Sequence, residues 1–281
     1  MMIKLIALDV DGTLVDGNNV VSPANEMAVK KALSNGIKVA LVTGRHRDGV
    51  KKIAEVLGLD HETLLIANNG ALIYSGDQLI WEDFLAPEDA DGVIKFSTQL
   101  SGAVAGIFQP DIIHFYLNAC VDRDYVMKQF EVFDMIRVRE AKNPEDIPRQ
   151  KVTKVMLITG SEDRAREILD MWPPSLSHLN CSRSYPYICE INSGRCDKGR
   201  SLKILCEKLG ILPEEVLAVG DGETDIPMLA FAGHSVFVRH SEHLPELPPH
   251  VQVTPPGFQD RGAAWAIEKY LYPFLIFPTQ S

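Results

Sequence analysis

The chain has 281 residues, 46% hydrophobic and 23% charged, ordinary proportions for a globular protein with ample core and no disordered tract. A formal net charge of -10 and a pI near 5.3 argue against a nucleic-acid binder working through a basic surface, and against electrostatic attraction to anionic membranes. An anionic small substrate stays open, because a local pocket or a metal ion outweighs the net charge.

In chain order, the apolar run Ile3 to Leu8 predicts a buried strand. Ser22 offers an N-cap and Pro23 suits the first helical position. Met27, Ala28 and Leu33 share a helical face that ends at Gly36. Lys38 to Val42 predicts a second strand, Asp48 to Leu57 a helix stopped by Gly58, and Leu64 to Ala67 a third strand. Repeated βα alternation with short connections implies a parallel sheet with right-handed crossovers.

The rhythm changes at Ala71. Ala71 to Tyr74 and Gln78 to Trp81 flank Ser75-Gly76-Asp77 and predict a hairpin. Beyond Pro87 come a helix to Leu100, apolar runs at Val104 to Phe108 and Ile112 to Leu117, and a helix from Asp122 to Phe130. A strand at Lys154 to Ile158, a helix at Glu162 to Met171 and a strand over Tyr185 to Ile191 follow. The parallel pattern then resumes. A helix opens at Lys198 with Leu202, Leu205, Cys206 and Leu209 on one face and stops at Gly210. Val216 to Val219 and Ser235 to Val238 predict strands around a helix at Asp225 to Ala232. Val251 to Thr254 predicts a last short strand, and Ala263 to Tyr270 a closing helix. The expected architecture is α/β: a doubly wound, Rossmann-like parallel core from 1–83 and 190–281, with an α+β domain of 84–189 inserted as a cap. The acidic residues Glu82, Asp83, Glu88, Asp89 and Asp91 read as a solvated face.

The five cysteines, at 120, 181, 189, 196 and 206, form no CxxC pair and lack metal-finger spacing, so reduced thiols are expected. No signal peptide is visible, and the apolar stretch Tyr270 to Phe277 is too short to span a bilayer. A cytoplasmic protein without membrane or nucleic-acid partners, a monomer or a homodimer, is expected. The last stretch would pack on the body of the protein or on a second subunit.

Chemistry concentrates where strands end. Asp9-Val10-Asp11-Gly12-Thr13, Val42-Thr43-Gly44-Arg45 and Gly220-Asp221-Gly222-Glu223-Thr224-Asp225 each follow an apolar run. In an open parallel sheet, ligands bind outside the carboxyl ends of the strands, so these groups are expected to converge. Singly, Asp9 reads as a turn or cap residue, Thr43 as an N-cap and Lys198 as an exposed helix lysine. Together they supply a nucleophile, a proton donor and charge compensation for phosphoryl transfer. A carboxylate ~4 Å from a phosphate dianion is repelled by about 8 kcal/mol at an effective dielectric of ~20, twice the unit-charge value. A hard divalent cation offsets this repulsion, and Mg²⁺ prefers a few carboxylate oxygens with water and substrate oxygens. Asp9, Asp221 and Asp225 are candidates to hold it.

These motifs resemble those of the haloacid dehalogenase superfamily. Asp9 to Thr13 is similar to its first motif, and Thr43, Lys198 and Gly220 to Asp225 follow as the second, third and fourth. The insertion between the second and third motifs, preceded by Asn68-Asn69-Gly70-Ala71, resembles the Cof-type phosphatases. The resemblance implies Asp9 as nucleophile, Asp11 as general acid and then base, and Thr43, Gly44 and Lys198 as phosphate ligands. It implies Mg²⁺ on Asp9, the main-chain carbonyl of Asp11, Asp221 and Asp225, and a small phosphorylated metabolite, with sugar phosphates foremost, as substrate. Arg45 and Asn69 are candidate substrate contacts; a salt bridge for Arg45 and a turn cap for Asn69 are the alternatives. Arg183, Tyr185 and Tyr187 either line the cleft or pack. Thr224 stands where the family usually has asparagine, and Arg239 where its subgroup commonly has a small or polar residue. The histidines form no triad or HExxH pattern, and none is expected to be catalytic. A phosphomutase using the same intermediate and a noncatalytic phosphate-binding scaffold remain as alternatives. A dehalogenase would leave Asp11 without a purpose.

Overall fold

The structure, a computed structural model, describes residues 2–59, 63–117, 122–132, 137–185 and 187–272. Contacts divide the chain into two compact units. One comprises Met1–Thr43, Lys51–Ile80 and Asp197–Ser281, the other Gly44–Val50 and Trp81–Cys196.

The first unit is built on strands β1 (Leu5–Leu8), β2 (Lys38–Val42), β3 (Leu64–Ala67), β4 (Leu72–Ser75) and β5 (Gln78–Glu82). Later in the chain β12 (Val216–Gly220), β13 (His234–Phe237) and β14 (Gln252–Val253) join them. The sheet order is β14-β13-β12-β1-β2-β3-β4-β5, which puts β1 at its centre. β14 through β3 run parallel, and β4 turns back antiparallel to β3. The fully buried runs Leu5–Leu8 and Val216–Gly220 need no polar alternation, as expected of parallel strands covered on both faces. Helices α1 (Pro23–Ser34), α2 (Lys51–Leu57), α6 (Lys198–Leu209), α7 (Ile226–Phe231) and α8 (Gly262–Leu271) belong to this unit.

Local signals explain most boundaries. Ser22 caps α1 by accepting from the Asn25 amide, and α6 ends at Gly210 in the left-handed region, at φ 65°. The predicted helix at Asp48 begins instead as a 3-10 turn over Arg47–Val50 before α2. On α1 the buried stripe is Asn25, Ala28, Val29 and Ala32, whereas Met27 points to solvent. A buried asparagine displaces methionine from the inward face because it has partners there.

The second unit carries β6 (Ala103–Phe108), β7 (Ile113–Tyr116), β8 (Val138–Glu140), β9 (Lys154–Thr159), β10 (Asn180–Tyr185) and β11 (Ile188–Asn192), in the order β10-β11-β9-β6-β7-β8. Its helices are α3 (Pro87–Thr98), α4 (Arg123–Val132) and α5 (Glu162–Asp170). Pairing is antiparallel except between β7 and β8. A cluster including Val93, Ile94, Leu100, Ile107, Val155, Leu157, Ile168 and Ile191 packs α3 and α5 against one face, and a second cluster around Phe108, Phe115 and Val126 lies under α4.

Two expectations are corrected here. Tyr185 to Ile191 is not one strand but parts of two antiparallel strands, with Asn180 opposite Asn192 and Tyr185 opposite Ile188. The sequence carries Pro186 between them, a residue that cannot donate to a ladder. The acidic run is largely ion-paired: buried Asp83 meets Arg195 at 2.9 Å, Asp89 meets His178 at 2.9 Å, and Asp91 meets Lys95 at 2.7 Å and Arg149 at 3.1 Å. The stretch from 273 onward, Cys120, Pro186 and the Tyr185 side chain lie outside the described residues. No helix among the described residues is long and apolar enough to cross a membrane.

Candidate active site

Parallel pairing brings the sequence motifs to one edge of the first unit's sheet. Asp9 directly follows β1, Thr43 follows β2, Asn68 follows β3 and Asp221 follows β12. The Asp9 amide donates to Val219 O at 2.9 Å, and the Thr43 amide to Ile66 O at 2.8 Å, so each motif continues its strand's ladder before turning away. Asn69 N donates to Thr43 O at 3.0 Å, tying the Asn68-Asn69-Gly70 turn to the second motif.

At the centre lies Lys198, buried at the start of α6. Its ammonium donates to Asp9 Oδ1 and to Asp225 Oδ1, each at 2.6 Å. Asp197, the N-cap, accepts from the Arg200 amide and fixes where the helix begins. Gly199 lets this turn press against α7, since a Cβ there would lie 2.3 Å from Pro227 O. Asp225 Oδ2 accepts from the amides of Asp221 at 3.0 Å and Gly222 at 2.9 Å. Both Asp225 oxygens are therefore engaged by the protein. Asp9 Oδ2, by contrast, accepts no hydrogen bond among the described residues.

Thr13 and Gly12 shape the other side. Thr13 Oγ1 donates to Asp221 Oδ1 at 3.1 Å. Gly12, at φ +81°, packs so closely that a Cβ would stand 2.2 Å from Asp221 Oδ2, so no other residue fits without moving that carboxylate. Buried Asn25 holds the loop from below. Its amide donates to Thr13 O at 3.3 Å and Leu14 O at 3.2 Å, while its oxygen accepts from Ala264 N at 2.9 Å.

The electrostatics are those of too many carboxylates for one lysine. Burial pushes the Asp9 carboxyl well above its usual range, Asp225, Asp221 and Asp11 push the same way, and Lys198 opposes them. Burial likewise raises Asp225, against Lys198. For Lys198, burial works against the charged amine, but Asp225 and Asp9 outweigh it and raise its pKa. Asp9, Asp221 and Asp225 each offer an oxygen within 4.8 Å of the others. An all-carboxylate donor set with surplus negative charge fits Mg²⁺. Asp9 and Asp221 are better placed to hold it than Asp225.

Other sequence candidates are distributed differently. Gly44 and Arg45 fall in the second unit, where buried Arg45 donates from Nη1 to Gly49 O at 3.0 Å. Asn69 is buried in the left-handed region, at φ 59°. Thr224 is half-buried, and its hydroxyl makes no hydrogen bond among the described residues. The Arg239 amide donates to Thr254 Oγ1 at 3.0 Å, and its Nε is buried without a partner among the described residues. Arg183 pairs with Glu162 at 3.2 Å. Sequence reasoning missed His240, three residues beyond β13, whose Nε2 lies 2.8 Å from Gly12 O and 3.3 Å from Asp221 Oδ2. Its hydrogen bond to Asp221 raises the imidazole's pKa against partial burial. No motif marks it; only its place after a predicted parallel strand hinted at this edge.

A strand-end carboxylate cluster around a buried lysine defines a phosphoryl-handling type of site, and comparison with known sequences agrees. The pattern of the haloacid dehalogenase-like hydrolases matches residues 6–244, and the chain belongs to that family. It is 27% identical over 242 residues, covering 86% of each chain, to 5-amino-6-(5-phospho-D-ribitylamino)uracil phosphatase YcsE of Bacillus subtilis. A solved haloacid dehalogenase-like hydrolase from Bacteroides thetaiotaomicron superposes with TM-score 0.78 at 25% identity, covering 95% of this chain and 99% of that one. The subclass IIB sugar phosphatase BT4131 shares the fold, with TM-score 0.77 at 19% identity over 95% of this chain and 98% of its own.

Proposed function

We propose that the protein is a Mg²⁺-dependent phosphatase that hydrolyses a small phosphorylated metabolite through an aspartyl phosphate on Asp9. Sugar phosphates are the leading substrate class, in keeping with the fold shared with BT4131. The observation that carries this reading is the Asp9 carboxylate itself. Lys198 holds Oδ1, while Oδ2 accepts no hydrogen bond among the described residues, at the edge where Asp11, Thr43 and Asp221 also lie. Bound Mg²⁺, held by Asp9, the Asp11 carbonyl and Asp221, would neutralise the charge that otherwise keeps a carboxylate and a phosphate apart.

In the first step an Asp9 oxygen forms a bond to phosphorus as the bond to the leaving oxygen breaks, and Asp11 gives that oxygen its proton. Lys198 and Thr43, with the Gly44 amide, hold the phosphoryl oxygens. In the second step water attacks phosphorus, Asp11 takes the water's proton, and the Asp9–phosphorus bond breaks to release inorganic phosphate and restore the carboxylate. Asp225 keeps Lys198 in place. In this reading Arg45 and Asn69 are substrate contacts, and residues 84–189 are the cap that selects the leaving group.

The test separates the two aspartates. With Mg²⁺ and an activated aryl phosphate, Asp11→Asn accumulates a phosphoryl adduct on Asp9, read by mass spectrometry, because a good leaving group needs little protonation while hydrolysis lacks its base. Asp9→Asn forms none, and chelator abolishes wild-type phosphate release. An adduct in Asp9→Asn, or full turnover without metal, overturns the assignment.

A further inference from the structure

We propose that His240 is a positioning residue for the metal site, a single N–H that fastens the loop bearing Asp11 to the carboxylate of Asp221. The inference rests on the reading of Asp221 as a metal ligand. Chemistry fixes the direction of the bond. Gly12 O is a main-chain carbonyl and can only accept, so the ring nitrogen 2.8 Å from it carries hydrogen. That hydrogen stays on Nε2 whether or not Nδ1 also takes a proton, so the contact does not depend on the charge of the ring. The same nitrogen faces Asp221 Oδ2 at 3.3 Å, which makes a three-centre arrangement with the carbonyl at the nearer position.

Both acceptors are parts of the site that need restraint. Gly12 is the most pliable residue of the first motif, because without a Cβ its backbone reaches conformations, such as its own φ of 81°, that other residues rarely adopt. Its main chain packs directly on Asp221. Rotation at Gly12 therefore moves both the Asp11 carbonyl one residue earlier and the Asp221 carboxylate. Thr13 Oγ1 holds Asp221 Oδ1, and His240 faces Oδ2, so two donors from different segments set the plane of the carboxylate and leave its remaining lone pairs for a cation. Asn25 secures Thr13 and Leu14 but reaches neither Gly12 O nor Asp221. Among the described residues His240 thus contacts both acceptors, reaching Gly12 across 228 residues of sequence.

Mn²⁺ binding in the absence of substrate, read from loss of the free-ion paramagnetic resonance signal, tests this apart from turnover. Wild type, His240→Ala, His240→Gln and Asp221→Asn are compared, with thermal unfolding as the check on folding. His240→Ala is expected to bind Mn²⁺ ~10-fold more weakly, the lower end of the range for lost outer partners of metal ligands. His240→Gln, whose amide nitrogen stands the same number of bonds from Cα and also donates, is expected to return to within ~2-fold of wild type. Equal or tighter binding by His240→Ala, or failure of glutamine to rescue it, overturns the proposal. Asp221→Asn distinguishes the parent reading: if it binds Mn²⁺ like wild type, Asp221 is no ligand and both fall. If it loses binding while His240→Ala does not, only the role of His240 is lost.

Discussion

Two buried lysines invite comparison. Lys198 in the first unit stands between Asp9 and Asp225, with Asp221 and Asp11 close enough to act on the same carboxylates. Lys154 in the second unit meets the carboxylate of Glu190, donates to Gly44 O at 2.6 Å and lies 4.6 Å from the centre of the Phe108 ring. Among the described residues Lys154 meets one carboxylate, with a carbonyl and an aromatic face beside it. Lys198 is outnumbered. A paired buried charge shows its worth when the pair is broken, whereas an outnumbered cation leaves a negative site suited to the metal and phosphate proposed above. Burial of a lysine, then, does not mark function; the charge left over around it does.

The sharpest way to test this contrast is to remove one partner of the Lys154–Glu190 pair. Lys154→Met takes from buried Glu190 the ammonium it meets and is expected to cost about 3–5 kcal/mol in urea unfolding. The double variant Lys154→Met/Glu190→Leu should recover most of that loss, because neither charge of the pair is left buried without the other. A single variant as stable as the wild type would mean the pair is not sealed.

The outnumbered lysine should show its effect in rate. Lys198→Ala removes the fixed positive charge from the proposed phosphoryl site, and kcat is expected to fall about 10²-fold or more, the scale for losing one electrostatic stabiliser. A near-normal kcat would make Lys198 no different in kind from Lys154.

A smaller effect comes from a third buried base beside the Gly44 segment. His46 Nε2 donates to Pro110 O at 2.9 Å and Nδ1 accepts from the Asp48 amide at 3.3 Å, which fixes a neutral ring. Burial lowers its pKa, with Asp48 opposing. Below the unfolded value of about 6.5 the unfolded chain takes up a proton that the folded one refuses, so stability falls as pH falls through that window and is unaffected above it. The slope attributable to this ring is at most ~1.4 kcal/mol per pH unit. His46→Gln should lose that share of the difference in unfolding free energy between pH 7.5 and 5.5. An unchanged difference would place the proton uptake elsewhere.

What the sequence disclosed and what it hid divide along physical lines. Asp9, Thr43 and Asp221 were legible because a parallel sheet delivers whatever follows its strands to one edge, so their place follows from local runs such as Leu5–Leu8 and Val216–Gly220. The caps Ser22 and Gly210 were legible because their signals span four residues. The β8 strand was not, since Val138–Glu140 is three residues long with two of them exposed and carries no alternation of its own. The Lys154–Glu190 pair, the Asn25 bridge to Ala264 and the His240 contact join residues 36, 239 and 228 positions apart. Nothing local announces them. They are made by packing, and a lone lysine, asparagine or histidine in a sequence ordinarily means a surface group.

The central position of β1 has a consequence for the order in which the molecule is made. One neighbour of this strand, β2, follows within some thirty residues, but the other is β12, near the far end of the chain. Thr13 and its partner Asp221 are 208 residues apart. At typical rates of synthesis the ribosome needs roughly 10–40 s to bridge that interval. Through it, Leu5–Leu8 presents a bare apolar edge, while the second unit, nearly contiguous in sequence, can already close on itself. A newborn chain therefore carries Asp9 without its partners Lys198 and Asp225, and an open strand that invites pairing with a neighbour until the last third of the protein arrives.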